Sequence, residues 1–281
     1  MMSGGEGCLD TGRTDEMMSG GEGYLFPSSD AEAQRLELQG SRLYGGVSFL
    51  EPFLARSPRD VLDVGCGSGF FSRHVAAALP SARVTGLDID EPRIAFARAR
   101  SGENNARFEL GDMASMPFSS DSFDLVFSRF ALVHSPDPSG ALREMTRVAR
   151  PGGVVVAYDM IHDGVWLVPG RPAFAAAVRK IVQVLREGGA EPNQGLYLVS
   201  GMRRAGLADV SMRVIAHHTM ATEEAYGAGR DNWIATLKSL GESLEPLLGA
   251  GELQRALDEL ARVSGDELLV ETTVLAWGRK Q

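Results

Sequence analysis

Two carboxylates flank a glycine-rich turn in the segment 59–90, RDVLDVGCGSGFFSRHVAAALPSARVTGLDID. Asp63 stands two residues before the first glycine, and Asp88 ends the apolar run that follows the turn. The glycines of the turn are Gly65, Gly67 and Gly69. Glycines allow a ligand to lie against the backbone, and an acid at the end of the next strand is suited to binding ribose hydroxyls. The segment therefore predicts a nucleotide-type site.

The elements that must hold this site are also readable from the sequence. Residues 61–64 are short, apolar and β-branched enough to form a buried strand. The pattern over 71–79 predicts a helix, and 83–87 reads as a second strand. Strand, turn, helix and strand make a βαβ unit with both acids at strand ends.

The glycine spacing separates this site from the common phosphate-binding ones. A dinucleotide fingerprint reads G-x-G-x-x-G and places a pyrophosphate at a helix N-terminus. Here the spacing is G-x-G-x-G, and neither lysine nor arginine stands in the turn to bind a phosphate, which opposes a Walker-type site. An acid before such a turn favours a ligand with a cationic amino group and no phosphates.

The DVGCGSG run, Asp88 and a later Gly111-Asp112 pair together resemble the motifs of class I S-adenosylmethionine (SAM) methyltransferases. The resemblance implies that SAM is the cofactor and S-adenosylhomocysteine the product. It implies that the three glycines let the backbone approach the methionine and ribose, and that Asp63 favours the amino group. Asp88 would then bind both ribose hydroxyls.

The same resemblance assigns the adenine end. Ile89 would pack on the ring, while Asp112 would accept a hydrogen bond from the adenine amino group and Met113 would cover its far edge. Asp112 follows the predicted strand 108–110, which places its carboxylate beside the glycine turn.

An N-terminal motif extends the resemblance. Tyr24 precedes an E-x-x-R-L-x-x-Q pattern, which resembles the leader of small-molecule methyltransferases whose first helix lids the cofactor. On that resemblance Tyr24, Arg35 and Gln39 face the methionine end of SAM. The alternative that Arg35 and Gln39 are solvated helix residues stays open.

The segment after the fourth predicted strand, SRFALVHSPDPSGALREMTRVARPGG, resembles the ubiquinone and menaquinone biosynthesis methyltransferases and their natural-product relatives. Arg129 stands at the end of that strand, beside the expected sulfonium. His134 begins the loop that would floor the substrate pocket.

Methyl transfer from a sulfonium needs alignment and exclusion of water more than covalent catalysis. A base is needed only when the acceptor must lose a proton. His134 is the candidate for a general base or a substrate-positioning group, with a structural role as the alternative. Tyr197 is a second polar candidate, and three further histidines follow later strands: His162, His217 and His218.

Several other chemistries are disfavoured. Metal-assisted catechol methylation needs clustered oxygen ligands at strand ends, and Asp159 at the predicted fifth strand end has no neighbouring asparagine, so we expect no metal. The Asn/Asp-Pro-Pro-aromatic tetrad of DNA amine methyltransferases is absent at 128–131. With a net charge of −9, a nucleic-acid partner is not expected.

Composition places the chain among ordinary soluble enzymes, since 44% of its 281 residues are apolar and 23% are charged. Its two cysteines, Cys8 and Cys66, lie in a polar tail and in the glycine turn, so we expect no disulfide. We find neither a run near the roughly 20 apolar residues that span a bilayer nor a signal peptide. A cytoplasmic location, without membrane contact, is expected.

The predicted fold is an α/β, Rossmann-like, seven-stranded and mostly parallel sheet with helices on both faces. We expect a disordered tail over 1–23, where MMSGGEG occurs twice, lid helices over 24–56 and the methyltransferase domain over 57–281. The fifth strand is predicted over 153–158. Residues 222–262 are predicted as a helical insertion before an antiparallel last strand, serving as a substrate cover or a dimer surface.

The sequence thus predicts methyl transfer from SAM to a small molecule, a secondary metabolite or quinone-like compound, by in-line displacement. Whether oxygen, nitrogen or carbon is methylated stays open, as does a homo-oligomeric state. A SAM-fold protein that acts as a non-methylating cyclase or binding module is the alternative. A nicotinamide oxidoreductase is opposed by the glycine spacing and by Gly111-Asp112.

Overall fold

The computed structural model describes residues 30–43, 46–102, 105–220, 224–262, 265 and 267–281. Its strands are β1 (Asp60–Val64), β2 (Arg83–Asp88), β3 (Ala106–Leu110), β4 (Phe123–Arg129), β5 (Ala149–Val168), β6 (Ala208–Met220) and β7 (Leu268–Arg279). They form one seven-stranded sheet in the order β3-β2-β1-β4-β5-β7-β6. Strands β1 to β5 pair in parallel, whereas β7 is antiparallel to both β5 and β6. The predicted sheet and its antiparallel last strand are confirmed.

The α-helices of the described residues follow in chain order. They are α1 (Asp30–Arg42), α2 (Glu51–Leu54), α3 (Phe70–Ala78), α4 (Glu91–Ala99), α5 (Pro138–Val148), α6 (Pro172–Glu187), α7 (Leu198–Arg204), α8 (Glu224–Ser239), α9 (Gly241–Leu248) and α10 (Glu252–Ala261). Short 3-10 helices cover Ser48–Leu50, Leu132–His134 and Gln194–Tyr197. No helix in these described ranges is both long and apolar enough to cross a membrane.

Two cores lie on opposite faces of the sheet. On one face, α3 and α4 bury side chains such as Phe71 and Ile94 against β2 and β3. On the other, α5 and α7 bury Met145 and Met202 against β5 and β7. Helices on both faces are what a parallel sheet requires, because its strands are apolar on both sides. This arrangement confirms the predicted α/β layering.

A third core joins α6, α8, α9 and α10 to the end of the sheet. Trp233, Leu237 and Leu260 are buried in it together with Phe174 of α6 and Leu269 of β7. The Trp233 indole N–H also donates to Glu271 Oε1 at 2.9 Å, so its polar atom is satisfied inside the core. Trp233, Leu237 and Leu260 of the predicted helical insertion are therefore core residues, whereas Leu247 is exposed.

The predicted end of the fifth strand is wrong. Residue Asp159 does not stand at a strand tip, because β5 continues to Val168 and stays paired with β7. The polar His162-Asp163-Gly164 segment reads as a loop in the sequence. In the structure this segment lies within β5, where the pairing register with β7 shifts between Ile161 and Val165. Pairing resumes at Val165↔Glu271.

Gly69 serves packing as the residue that begins α3. Its φ of 77° lies in the left-handed region, and a Cβ there would stand 2.6 Å from the Phe108 ring and 2.8 Å from Ala97 Cβ. The helix can therefore approach β3 and α4 only with glycine at this position. Gly69 does not line the cavity described below.

We expect Gly69→Ala to lower the free energy of unfolding much more than Gly152→Ala. Both glycines have positive φ, but a Cβ at Gly152 meets nothing within 4 Å. The left-handed backbone costs about 1–2 kcal/mol in each variant, and overpacking adds about 1–3 kcal/mol at position 69 only. Urea denaturation of the two variants measures the difference. Equal losses would contradict the packing role.

Candidate active site

A cavity of about 180 Å³ opens at the carboxyl ends of β1, β2 and β4. We call it the outer cavity. It is lined by loops that follow these strands and by one side of α1. The predicted site residues among its lining are Gln39, Asp63, Gly65, Gly67, Asp88, Ile89, Asp112, Met113, Arg129 and His134. The fold thus gathers at one edge residues that are spread over almost a hundred positions of the chain.

Asp88 ties the glycine turn to the end of β2. Its Oδ2 accepts a hydrogen bond from the Gly67 N–H at 2.8 Å, and its Oδ1 accepts one from the Asp90 N–H at 3.0 Å. Burial raises the pKa of this carboxyl, while Arg93 and the two N–H donors oppose the shift. Asp88 therefore shapes the turn as well as offering oxygens to a ligand.

The glycine turn forms a cradle whose backbone faces the cavity. A Cβ at Gly65 would stand 2.3 Å from the Ala131 Cβ, and one at Gly67 would stand 3.2 Å from Leu36 of α1. Side chains at these positions would fill the space between the turn, the loop after β4 and α1. The two glycines therefore keep room for a ligand that lies against the backbone.

Asp63 is a buried carboxylate at the base of the outer cavity, and its Oδ2 accepts a hydrogen bond from Ser72 Oγ at 2.7 Å. Burial raises its pKa to about 7, and the charge of Asp88 adds to the shift. An ionised carboxylate away from water is costly. A cationic group in this cavity would favour the ionised form of Asp63, as the sequence predicts for an amino group.

Arg129 supplies the complementary charge. Its guanidinium lies over the rings of Phe130, at 4.2 Å from the centroid, and Phe71, at 4.5 Å. Its charge also acts on Asp63, whose pKa it lowers. A guanidinium suits a carboxylate, whereas it repels a sulfonium. Asp63 suits the ammonium group of an amino-acid moiety, and Arg129 suits its carboxylate. This match is better than the predicted placement of Arg129 beside a sulfonium.

The opposite end of the outer cavity is more open and apolar. Ile89 is 50% exposed beside it, although it is a large aliphatic residue. Asp112 Oδ1 accepts a hydrogen bond from the Ala114 N–H at 2.8 Å, which fixes the turn that carries Met113. An exposed aliphatic face, a carboxylate and a methionine can hold a flat heterocycle with an exocyclic amino group. The residues present thus fit SAM along the whole length of the cavity.

A smaller space, the inner cavity, lies behind the outer one. It shares Leu36, Gln39, Phe130 and His134 with the outer cavity. Its other walls come from α1, β5, α6 and α8, and the residues are Arg35, Val133, Met160, His162, Ile181, Leu185, Asn232, Trp233 and Thr236. Sequence reasoning missed the contribution of α6, and it predicted 222–262 as a substrate cover or a dimer surface without naming the residues of α8 that line this cavity. The i, i+4 pair Asn232 and Thr236, flanking Trp233, was the available signal.

The structure places Arg35 at the inner cavity and not at the outer one. Its guanidinium binds both Glu32 oxygens at 2.7 Å and donates to Asn232 Oδ1 at 2.8 Å. The bond to Asn232 connects α1 to α8, whereas those to Glu32 lie within α1. A second ion pair, Arg73 to Glu37 at 2.7 Å, connects α1 to α3. Arg35 thus helps to hold the lid helix, while Gln39 reaches both cavities.

His134 lies at the junction of the two cavities. Burial lowers the pKa of its imidazole to about 3, and the positive charges of Arg93 and Arg35 act in the same direction. The ring is therefore neutral at physiological pH and can accept a hydrogen bond, but it is a weak base. Of the two roles predicted for His134, this low pKa favours substrate positioning over proton abstraction.

The remaining candidates do not line either cavity. Tyr197 is 48% exposed on its 3-10 helix. His217 is bound to the Tyr158 hydroxyl at 2.7 Å and to Thr273 Oγ1 at 3.0 Å, and His218 is exposed on β6. Tyr24 lies outside the described residues. Within the described ranges, no group of three or more His, Cys, Asp or Glu side chains could hold a metal ion.

Comparison with known proteins gives a consistent result. The model of the family described as methyltransferase domain matches residues 62–157. Demethylmenaquinone methyltransferase of Roseiflexus castenholzii is 30% identical over 222 residues, covering 68% of this chain and 92% of that protein. A malonyl-[acyl-carrier protein] O-methyltransferase of Hahella chejuensis is 34% identical over 104 residues, covering 37% of each chain. The matched region thus spans only about a third of the Hahella chejuensis protein.

Solved structures share the fold at low identity. A methyltransferase-like protein of Bacillus halodurans superposes with a TM-score of 0.57 at 18% identity, covering 84% of this chain and 99% of that one. The [4+2]-cyclase SpnF gives a TM-score of 0.51 at 18% identity, covering 84% and 82%. These likenesses support the seven-stranded architecture described above.

We expect SAM to bind about tenfold more weakly at pH 6 than at pH 8, because a group with a pKa near 7 is largely protonated at pH 6. Protonated Asp63 would no longer attract the cationic ligand. Isothermal titration at the two pH values measures the change. Asp63→Asn should bind SAM weakly and with little pH dependence.

The matched ligand control is 5′-methylthioadenosine, which lacks both the ammonium and the sulfonium. Its affinity should be the same at pH 6 and pH 8. Equal SAM affinities at the two pH values in the unaltered protein would exclude this role for Asp63.

Proposed function

The chain belongs to the class I SAM-dependent methyltransferases, and on that premise we propose that it transfers a methyl group from SAM to a small-molecule acceptor. The adjacency of the two cavities carries this proposal. A cradle suited to SAM shares His134 and Phe130 with a second, mostly apolar space. Two adjoining sites of this kind suit a cofactor and an acceptor that must meet in line.

SAM supplies an electrophilic methyl group: as the acceptor atom bonds to it, the carbon–sulfur bond breaks, the electron pair stays on sulfur and S-adenosylhomocysteine forms. The protein's own contribution is to bind and orient. Asp88 would hold the ribose, and Ile89, Asp112 and Met113 would hold the adenine. Asp63 and Arg129 would bind the amino-acid end.

Helix α1 and the α8–α10 segment would exclude water from the reacting groups. Helix α1 supplies Leu36 and Gln39 to both cavities, and its ion pair to α3 and hydrogen bond to α8 hold it across them. Helix α8 closes the inner cavity with Trp233 and Thr236. We therefore assign the N-terminal helix as a lid and the helical insertion as a substrate cover.

The side chains that line the inner cavity also support a class of acceptor. Phe130, Met160 and Trp233 suit an apolar body, in agreement with a secondary metabolite or a quinone-like compound. The relatives named above include a demethylmenaquinone methyltransferase. That name supports a ring-containing acceptor.

A second candidate function is SAM binding without methyl transfer. The fold is shared with a [4+2]-cyclase, so the architecture by itself does not select a reaction. Incubation of the protein with methyl-labelled SAM and a metabolite extract tests the choice. Label in an extracted small molecule supports methyl transfer. Tight SAM binding with no labelled product from any acceptor tested would favour the binding module or cyclase.

We expect Asp88→Ala to weaken SAM binding by roughly 2 kcal/mol or more, since the ribose hydroxyls lose their acceptor and the turn loses the bond to Gly67. Titration calorimetry with SAM measures the affinity, and thermal unfolding checks that the variant folds. Glu109→Ala, which removes an exposed carboxylate from the neighbouring strand β3, is the matched control. An unchanged SAM affinity in Asp88→Ala would contradict the proposal that Asp88 binds the ribose hydroxyls.

A further inference from the structure

The polar groups of the inner cavity define the kind of molecule that fits it, given the proposed function on which this inference rests. We propose that the inner cavity takes one end of a neutral acceptor that carries a hydroxyl group on an apolar or aromatic body, with the hydroxyl bound between His162 and Asn232. Four features of the cavity support this assignment: one fixed tautomer, one oriented amide, a balanced charge and a small volume.

The tautomer of His162 is set by the backbone. Its Nδ1 lies 2.6 Å from the carbonyl oxygen of Pro192, and a carbonyl can only accept, so Nδ1 carries the proton. Burial lowers the pKa of the ring, which keeps it neutral. The Nε2 atom is then a hydrogen-bond acceptor. His162 is among the residues that line the inner cavity, so a molecule bound there must offer a donor to use this atom.

Asn232 has the opposite preference. A guanidinium can only donate, so the Asn232 atom that faces Arg35 at 2.8 Å is the amide oxygen. Its NH₂ end remains for a ligand and can only donate. A hydroxyl is the small neutral group that donates and accepts at once, and it therefore matches both His162 and Asn232.

The charge of the inner cavity excludes ionic acceptors. Arg35 is the cation among its described lining residues, and both oxygens of the buried Glu32 bind it. A carboxylate would compete with that ion pair for Arg35. An ammonium would meet Arg35 and find no carboxylate among the described lining residues. Burying either ion without a partner is costly.

The walls and the volume limit the body of the acceptor. Phe130, Met160 and Trp233 line the cavity, and the Trp233 N–H is already bound to Glu271, so the indole offers an apolar surface. The volume is about 70 Å³, less than half of the roughly 150 Å³ of a dry cavity that binds benzene. The cavity thus admits the hydroxyl-bearing edge of a ring, with the rest towards the junction at His134.

Binding of simple probes tests the assignment without any turnover. The first measurement is calorimetric titration with S-adenosylhomocysteine. With that ligand saturating, phenol, toluene, benzoate and benzylammonium are titrated by ligand-observed NMR. We expect phenol to bind with a Kd on the order of 1 mM. Toluene should bind about tenfold more weakly, and neither ion should bind detectably.

His162→Asn is the decisive variant. An asparagine amide can replace the Nδ1–H bond to Pro192 but removes the Nε2 acceptor, so phenol affinity should fall about tenfold while S-adenosylhomocysteine still binds. His218→Asn, the same change at an exposed histidine, should leave phenol affinity unchanged. If His162→Asn does not fold, Asn232→Leu replaces it, with an expected loss of about fivefold.

The outcomes separate the two proposals. Failure of S-adenosylhomocysteine to bind overturns the proposed function itself. If S-adenosylhomocysteine binds, any of three results overturns the neutral-hydroxyl assignment alone. These are toluene binding as tightly as phenol, either ion binding better than phenol, and an unchanged phenol affinity in the folded variant.

Discussion

The hydrogen bond from the Gly67 N–H to Asp88 is the interaction on which the rest of the site depends. It joins the turn after β1 to the end of β2, and so fixes where the backbone passes beneath a ligand. The turn can follow this path because Gly65, Gly67 and Gly69 have positive φ values. Two of them leave space for a ligand and the third lets α3 approach β3.

Electrostatics then selects the ligand. Asp63 and Asp88 are both buried, and burial raises the pKa of each. Such a pair is unfavourable without a nearby positive charge, which a cationic ligand supplies together with Arg129. A cationic ligand would offset the cost of ionising these carboxyls, which supports the proposed preference for SAM over a neutral nucleoside. Asp159 belongs to the same edge, and its pKa is also raised to about 7 by burial.

The acceptor side is organised by helix packing instead. The hydrogen bond of Arg35 to Asn232 joins residues 197 positions apart, and α6 and α8 complete the wall. The same contacts that hold the lid helix also neutralise Arg35 and orient Asn232. A single set of bonds therefore joins α1 to α8 and sets the polarity of the inner cavity, so the proposed lid role of α1 and the proposed acceptor preference depend on the same contacts.

The sequence by itself determined the cofactor side of this protein. Glycine spacing and acids at strand ends act over a few residues, so the turn, Asp88 and Gly111-Asp112 could be read directly, and short apolar runs predicted strands of the sheet, with too early an end for β5. Only tertiary packing decided the rest. It placed Arg35 at the inner cavity and Tyr197 outside both cavities. It also extended β5 through a register shift and placed Asn232 and Thr236 at the same cavity as His162. Those placements depend on how distant helices pack together, and no local spacing encodes that.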